Sequence, residues 1–328
     1  DNKKFTDAND LNSLVNEKIG SSLQGDEFEI TYTPDNTEEY NIIKDIKEQT
    51  GEVIEFTQIP LDDKVTLNIF ETANTSGIFQ FESVGMRNFL RRLKPNTFED
   101  IFAAIALFRP GPAVNIDTYI KRKHGEEKVE YLDESLKDIL SNTYGILIYQ
   151  EQIMQLASIY AGYSLGEADI LRRAMSKKKQ AVMEKERANF IYGNEEEGVP
   201  GCVANGISEA VAGQIYGDMM DFAKYAFNKS HAAAYGYVAY QTAYLKCHYP
   251  AEYMAALITS VMENPSKVLE YIAECQRLGI AILPPSVNQS EEYMTVSKEG
   301  IRFGLLVVKN LGRIAARKII DERKSGGK

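Results

Sequence analysis

Apolar residues recur along this chain at spacings of three and four more often than they alternate. In "NTEEYNIIKDIKEQTG", Tyr40, Ile43 and Ile46 fall at helical spacing, and Gly51 closes the segment. "IPLDDKVTLNIFETA" opens on Pro60 and two acids, Asp62 and Asp63, whose charge suits a helix N-terminus, and continues as an amphipathic helix. "SGIFQFES" alternates, which predicts an extended segment leading into a helix from Ser83. In "KPNTFEDIFAAIALFRPGP", Asn96 or Thr97 can cap a helix with Glu99 or Asp100 in its first turn. That helix is predicted to run to Phe108, because Pro110 and Pro112 cannot continue its hydrogen bonds. "TYGILIYQEQIMQLASIYAGYSLGEADILRRAMSKKK" predicts two helices broken at "GYSLGEAD", and "ISEAVAGQIYGDMMDFAKYAF" predicts another. From Ala232 to Cys247 the chain is apolar on most sides, the pattern of a buried helix. "AEYMAALITSVM" and "PSKVLEYIAECQRLG" follow as helices. "AILPPSVN" is extended, "MTVSKEGIRFGLLVVK" predicts a small hairpin around residues 298–300, and the tail is a turn and a helix. Near the start, "FEITYTP" has strand propensity. The predicted fold class is mainly α, a multi-helix architecture with a few short strands.

Composition narrows the class. The 328 residues suffice for one large domain or two to three ordinary ones. An apolar share of 44% and a charged share of 26% are those of soluble globular proteins. Cys202, Cys247 and Cys275 are too few and too scattered for a disulfide framework or a zinc site, and read as reduced thiols of a cytosolic protein. No run of about 18 apolar residues predicts a membrane span. No basic-then-apolar leader predicts secretion. "DNKKFTDAND" reads as an internal cut. The net charge of −10 argues against a simple nucleic-acid binder. Its distribution changes that view. Residues 1–60 carry a net −9 and residues 61–328 a net −1, so a local basic surface further along remains open.

Four stretches could carry chemistry. "LRRAMSKKK" places Arg172, Arg173, Lys177, Lys178 and Lys179 together, with Arg173 and Lys177 one helical turn apart. Guanidinium forks match phosphate oxygens, so a phosphate site is one reading, and a solvated basic helix end is the other. "FNKSHAAAY" sets Lys229, Ser230 and His231 directly before the predicted start at Ala232. Backbone N–H groups there would face an anion and Lys229 would add charge, or Asn228 or Ser230 simply caps the helix. Adjacent Ser and His side chains lack the geometry of a nucleophile and its base. In "ALFRPGP" a rigid turn presents Arg109, as a ligand contact or as a solvated helix stop. In "TYGILIYQEQ", Tyr144, Gly145, Tyr149 and Gln150 could stack on and hydrogen-bond a base, or form a core edge. His124, His231 and His248 lie too far apart for a metal set, and no phosphate-binding glycine loop is present.

Taken in order, "IPLDDK", "GIFQFES", "RLKP", "ALFRPGP", "RKHG", "YGILIYQEQIMQ", "LRRAM", "FNKSHAAAY", "YQTAYLK" and "ILPP" resemble the alpha subunit of bacterial DNA polymerase III, closest to its DnaE type. The resemblance covers the chain from about Asn41 onward. It implies that residues 1–60 are palm-derived or added, that 61–285 form the helical fingers domain, and that 286–328 form a small hairpin and the start of a helix-hairpin-helix region. It implies a DNA-directed DNA polymerase parent in the cytoplasm, in which palm aspartates hold Mg²⁺ for attack of the primer 3′-OH on a dNTP. The aspartate segments of that palm are not found here, so the resemblance implies no catalytic or metal residue in this chain and no activity by it alone. Arg172, Arg173 and Lys177–Lys179, with Lys229, Ser230 and His231, match segments that line the nucleotide pocket. Arg109, Tyr144, Gly145 and Gln150 match segments near the nascent base pair or template. The implied partners are dNTP and primer-template DNA, with the sliding clamp and other replisome subunits contacted through other regions. The competing expectation is a truncated, non-catalytic paralogue that binds nucleic acid or regulates, with its acidic first 35 residues as a partner surface.

Overall fold

The computed structural model describes residues 38–177, 180–223 and 225–326. In chain order the helices are α1 (Glu38–Thr50), α2 (Lys64–Glu71), α3 (Val84–Leu93), α4 (Phe98–Leu107), α5 (Ile116–Lys123), α6 (Lys137–Leu140), α7 (Gln150–Ala161), α8 (Leu165–Lys177), α9 (Gln180–Tyr192), α10 (Glu209–Phe222), α11 (Lys229–His248), α12 (Pro250–Ser260), α13 (Pro265–Arg277) and α14 (Arg313–Ser325). Three short strands, β1 (Ile282–Leu283), β2 (Thr295–Ser297) and β3 (Gly300–Arg302), precede α14. This is the mainly α fold that the apolar spacing predicts. The strand expected in "FEITYTP", the acidic segment 1–35, and Lys178 and Lys179 lie outside the described residues.

The chain divides into two compact units, one holding residues 38–88 and 238–326 and the other residues 89–237. In the first, α1 packs on α12 and α12 on α13. Helix α1 buries Ile42 and Ile46, one turn apart, while Ile43 is only half-buried. The predicted hairpin is present: β2 and β3 pair antiparallel, with Val296 opposite Ile301. The extended segment before it supplies β1, which pairs parallel with β3. Ile301 is fully buried at the centre of this sheet.

In the second unit, α7 packs on α8 and α9 on α10. Ile153, Leu171, Met175, Phe190 and Met219 from all four helices meet in one core. Each such side chain contributes about 1.5–3 kcal/mol through removal from water. Helix α4 starts on a reciprocal cap, with Thr97 accepting from the Asp100 N–H and Asp100 accepting from the Thr97 N–H. It ends at Leu107, just before "RPGP". Gly111 there has φ +104°, and an added Cβ would lie 2.2 Å from Cδ1 of Tyr225, so the turn needs glycine on both counts.

Three local expectations change. "SGIFQFES" forms turns, not an extended strand: Gly77 and Gln80 have positive φ, and the Glu82 carboxylate accepts the Gly77 N–H at 2.9 Å. Ile78 and Phe81, three apart, are the apolar residues it buries, with Ser76 beside them. Helix α9 follows α8 as an element for which the sequence pattern made no prediction: in "QAVMEKERANFIY" the apolar residues sit mostly at the two ends, around a central "EKER", and form no stripe at helical spacing. Helix α11 begins at Lys229, three residues before Ala232. The Lys–Ser–His trio is therefore its first turn and not its approach.

Candidate functional site

Tyr149 and Phe227 form an isolated parallel bridge. The Gln150 N–H donates to the Phe227 carbonyl at 2.8 Å, and the Phe227 N–H donates to the Ile148 carbonyl at 3.1 Å. Each bridge residue stands just before a helix, so the bridge sets the N-termini of α7 and α11 side by side. Gln150 strengthens the join, its Nε2 donating to the Ala226 carbonyl at 3.1 Å.

The first turn of α11 is held by an internal anion. Both carboxylate oxygens of Glu151 accept the Lys229 N–H at 2.9 Å, and Oε1 accepts the Ser230 N–H at 3.4 Å. The Asn228 side chain accepts the His231 N–H at 2.7 Å. A carboxylate on exposed N–H groups is the favourable partner for the positive end of a helix. Of the two readings of this segment, capping by Asn228 is what these backbone groups do, and a second cap comes from a residue 78 positions away.

The Lys229 ammonium stands 5.8 Å from the centre of the Tyr149 ring. Burial pushes Lys229 below its ordinary range, while Glu151 and Glu99 pull it back up. The Tyr149 hydroxyl is fully buried and has no hydrogen-bond partner among the described residues, and burial holds it well above the usual phenol range. The His231 ring packs on Tyr235 at 4.2 Å and edge-on to Phe227 at 5.5 Å. Burial first and Arg109 second lower its pKa, which keeps the imidazole neutral at pH 7. The Arg109 guanidinium lies 4.4 Å over the Phe227 ring, a contact that contributes about 0.5–2 kcal/mol.

Helix α8 brings the arginine pair to the same place. Arg172 Nη1 donates to Gln150 Oε1 at 2.9 Å, and its Nε and Nη2 donate to Asp169 at 2.9 and 2.6 Å. Arg173 pairs with the other Asp169 oxygen at 2.7 Å, but its side chain is 65% exposed against 16% for Arg172. Burial raises the Asp169 pKa, but the two arginines outweigh it and hold the carboxyl below its ordinary value. Arg172 is thus the anchored member and Arg173 the presented one. Lys177 closes α8.

The structure therefore gathers Arg109, Gln150, Arg172, Arg173, Lys229, Ser230 and His231 around the Tyr149–Phe227 bridge. Tyr144 and Gly145 serve the turn before α7. Tyr144 packs edge-on to Tyr119 at 5.0 Å and gives its carbonyl to Arg122. Tyr144 has φ 52°. Gly145 has φ +77°, and a Cβ on it would meet Val129 at 2.9 Å. The contacts of these two residues include Tyr119, Arg122 and Val129. Sequence reasoning overlooked Glu151, Asp169 and Phe227. The spacing of Asp169 to Arg172 and Arg173, three and four, was a readable signal. Glu151 and Phe227 act through the fold and left none.

Among the described residues no group of three or more His, Cys, Asp or Glu could hold a metal ion. They do not fit a three-aspartate Mg²⁺ site. The three cysteines are free, and burial pushes Cys202 and Cys275 up to about 12 and Cys247 up to about 11. Among the described residues no helix is long and apolar enough to cross a membrane.

The family profile of the bacterial DNA polymerase III alpha subunit finger domain matches residues 40–198, and a helix-hairpin-helix motif matches residues 279–328. DNA polymerase III subunit alpha of Thermus aquaticus is 49% identical over 287 residues, 86% of this chain and 23% of that protein. The subunit of the same name from Staphylococcus aureus (strain COL) is 43% identical over 289 residues, 88% of this chain and 26% of that protein. The chain thus spans about a quarter of the length of the curated relatives it matches. The chain belongs to the bacterial DNA polymerase III alpha-subunit family, as a segment that carries its finger domain and a helix-hairpin-helix motif.

Proposed function

We propose that this chain is the fingers region, residues 61–285, and the start of the helix-hairpin-helix region, from residue 286, of a cytoplasmic DNA-directed DNA polymerase. Its α7–α8–α11 cluster receives the triphosphate of an incoming dNTP. The observation that carries this reading is the meeting of Arg172, Arg173 and the first turn of α11 across the Tyr149–Phe227 bridge. Arg173 offers an exposed guanidinium fork to phosphate oxygens. Arg172 is fixed by Gln150 and Asp169 and sets the angle of α8 against α7. Lys229 adds positive charge. The charge of a bound polyanion would raise its proton affinity, against the burial that lowers its pKa in the free protein. Lys177, Lys178 and Lys179 extend the phosphate side. Arg109, Tyr144, Gly145 and Gln150 serve the nascent base pair or template.

In the parent enzyme Mg²⁺ supplies charge neutralisation for the in-line transfer, through palm aspartates that the described residues do not provide. This segment positions substrate, and primer extension by it alone is not expected. Primer-template DNA is its macromolecular partner. The sliding clamp and other replisome subunits bind elsewhere on the parent. The test is ligand-observed NMR of a dNTP with Mg²⁺, on the wild type and on Arg172→Ala/Arg173→Ala. Saturation transfer lost in the variant supports the reading. Equal transfer in both places the triphosphate elsewhere.

A further inference from the structure

A second cationic feature lies in the unit 89–237, at the C-terminal ends of α3 and α5. A cavity of about 680 Å³ is lined by Arg91, Arg92, Lys94, Lys121 and His124, with Asp117, Glu126 and Ile120. Two carboxylates face four permanent cations in a chain whose net charge is −10. Cations at helix C-termini complement the helix dipole, and that alone would account for a few of them. It does not account for how they are arranged. Among the described residues, ion pairs of this region include Arg92–Asp117, Arg122–Glu127 and Lys123–Asp100. Lys94 and Lys121 belong to none of these, although Lys121 adds to the field with which Arg92 holds the Asp117 carboxyl below its ordinary value, and both lysines are exposed. His124 is tied down through Nε2 to the Arg92 carbonyl at 3.0 Å. Lys94 has φ 48° directly after α3, where glycine is the ordinary residue. A lysine in that backbone state gives up local stability, and Lys94 lines the cavity.

We propose that this cleft binds the sugar–phosphate backbone of a DNA strand, with Lys94 and Lys121 as its phosphate contacts. The chemistry is that of backbone positioning and not base readout. The lining is charged, with Ile120 its one apolar side chain, and no aromatic ring is there for a base to stack on. The inference rests on the polymerase reading of the chain, and it assigns DNA to a surface distinct in sequence from the arginine pair of α8.

The experiment is fluorescence anisotropy of a labelled single-stranded 20-mer, titrated at several salt concentrations with the wild type, Lys94→Gly/Lys121→Gln and Arg172→Ala/Arg173→Ala. Lys94→Gly relieves the left-handed backbone, so a matched or raised melting temperature shows that the double variant is folded. Removing two phosphate contacts should flatten the slope of log K against log salt by about 1.4. An unchanged slope and affinity in the Lys94/Lys121 variant, with binding weakened in the arginine variant, overturns the cleft and leaves the polymerase reading standing. No binding by the wild type overturns both. A loss confined to a polyglutamate peptide, with the DNA slope unchanged, overturns the assignment in favour of an acidic protein partner.

Discussion

Helix α11 carries a lysine near each end, and the two are held in different ways. Near the C-terminal end, Lys246 is 2% exposed, and its ammonium donates to the carbonyls of Asn74 and Ser76 and to Glu274 Oε1 at 3.1, 2.7 and 2.6 Å. Glu274 accepts in turn from Arg277. Every proton of that ammonium has an acceptor, the condition under which a charge survives burial. At the N-terminal end, Glu151 is taken up by backbone N–H groups, and the Lys229 ammonium faces the Tyr149 ring. The same residue type, on one helix, is met by buried oxygen acceptors at one end, and at the other lies against an aromatic ring within the field of Glu151 and Glu99.

The comparison breaks first at the C-terminal end. Lys246→Ala leaves Glu274 buried with Arg277 alone and strands two carbonyls. The expected loss is about 3 kcal/mol in chemical denaturation. A loss below about 1 kcal/mol would mean that the pair is not what holds this end.

Acid gives the same end a pH signature. Burial raises the Glu274 carboxyl, but hydrogen bonds from Arg277 and Lys246 outweigh it and hold the folded pKa below the ordinary 4.5. Such a group adds stability that is complete above the unfolded pKa and is lost as pH falls through the folded value. The denaturation midpoint of the wild type should therefore drop below about pH 4.5, and that of Glu274→Gln should drop less.

At the N-terminal end the effects are smaller. Glu151→Ala removes a cap and should cost about 1–2 kcal/mol, with faster hydrogen exchange at the Lys229 and Ser230 amides. Tyr149→Phe removes a buried hydroxyl that has no partner among the described residues, and should raise stability by about 1 kcal/mol. Arg173→Ala should change stability by less than about 0.5 kcal/mol, because its ion pair is exposed on the arginine side. A larger loss would make Arg173 a structural residue like Arg172.

What was legible in the sequence follows the range of the forces. The Thr97 cap, the stop at "RPGP", the acidic start at Asp63 and the hairpin at 298–300 are set by residues within four positions, and all are present. The turns at 77–81 were not legible, because Glu82 bends a segment whose apolar alternation resembles a strand. The start of α11 was misplaced by three residues: Asn228 caps it locally, one of the alternatives that the sequence offered, while the second cap, Glu151, lies 78 positions away and left no signal. The site behaves in the same way. Its residue types stood out in the sequence. The bridge that assembles them, and the division of Arg172 from Arg173, depends on contacts 22 to 78 residues apart.

The most direct test is hydrogen–deuterium exchange of the chain with and without a dNTP and Mg²⁺. The account predicts added protection over residues 165–177 and 229–231, and no change around Lys246. Protection near Lys246, or none in either segment at saturating nucleotide, would contradict the assignment of the triphosphate to the α7–α8–α11 cluster.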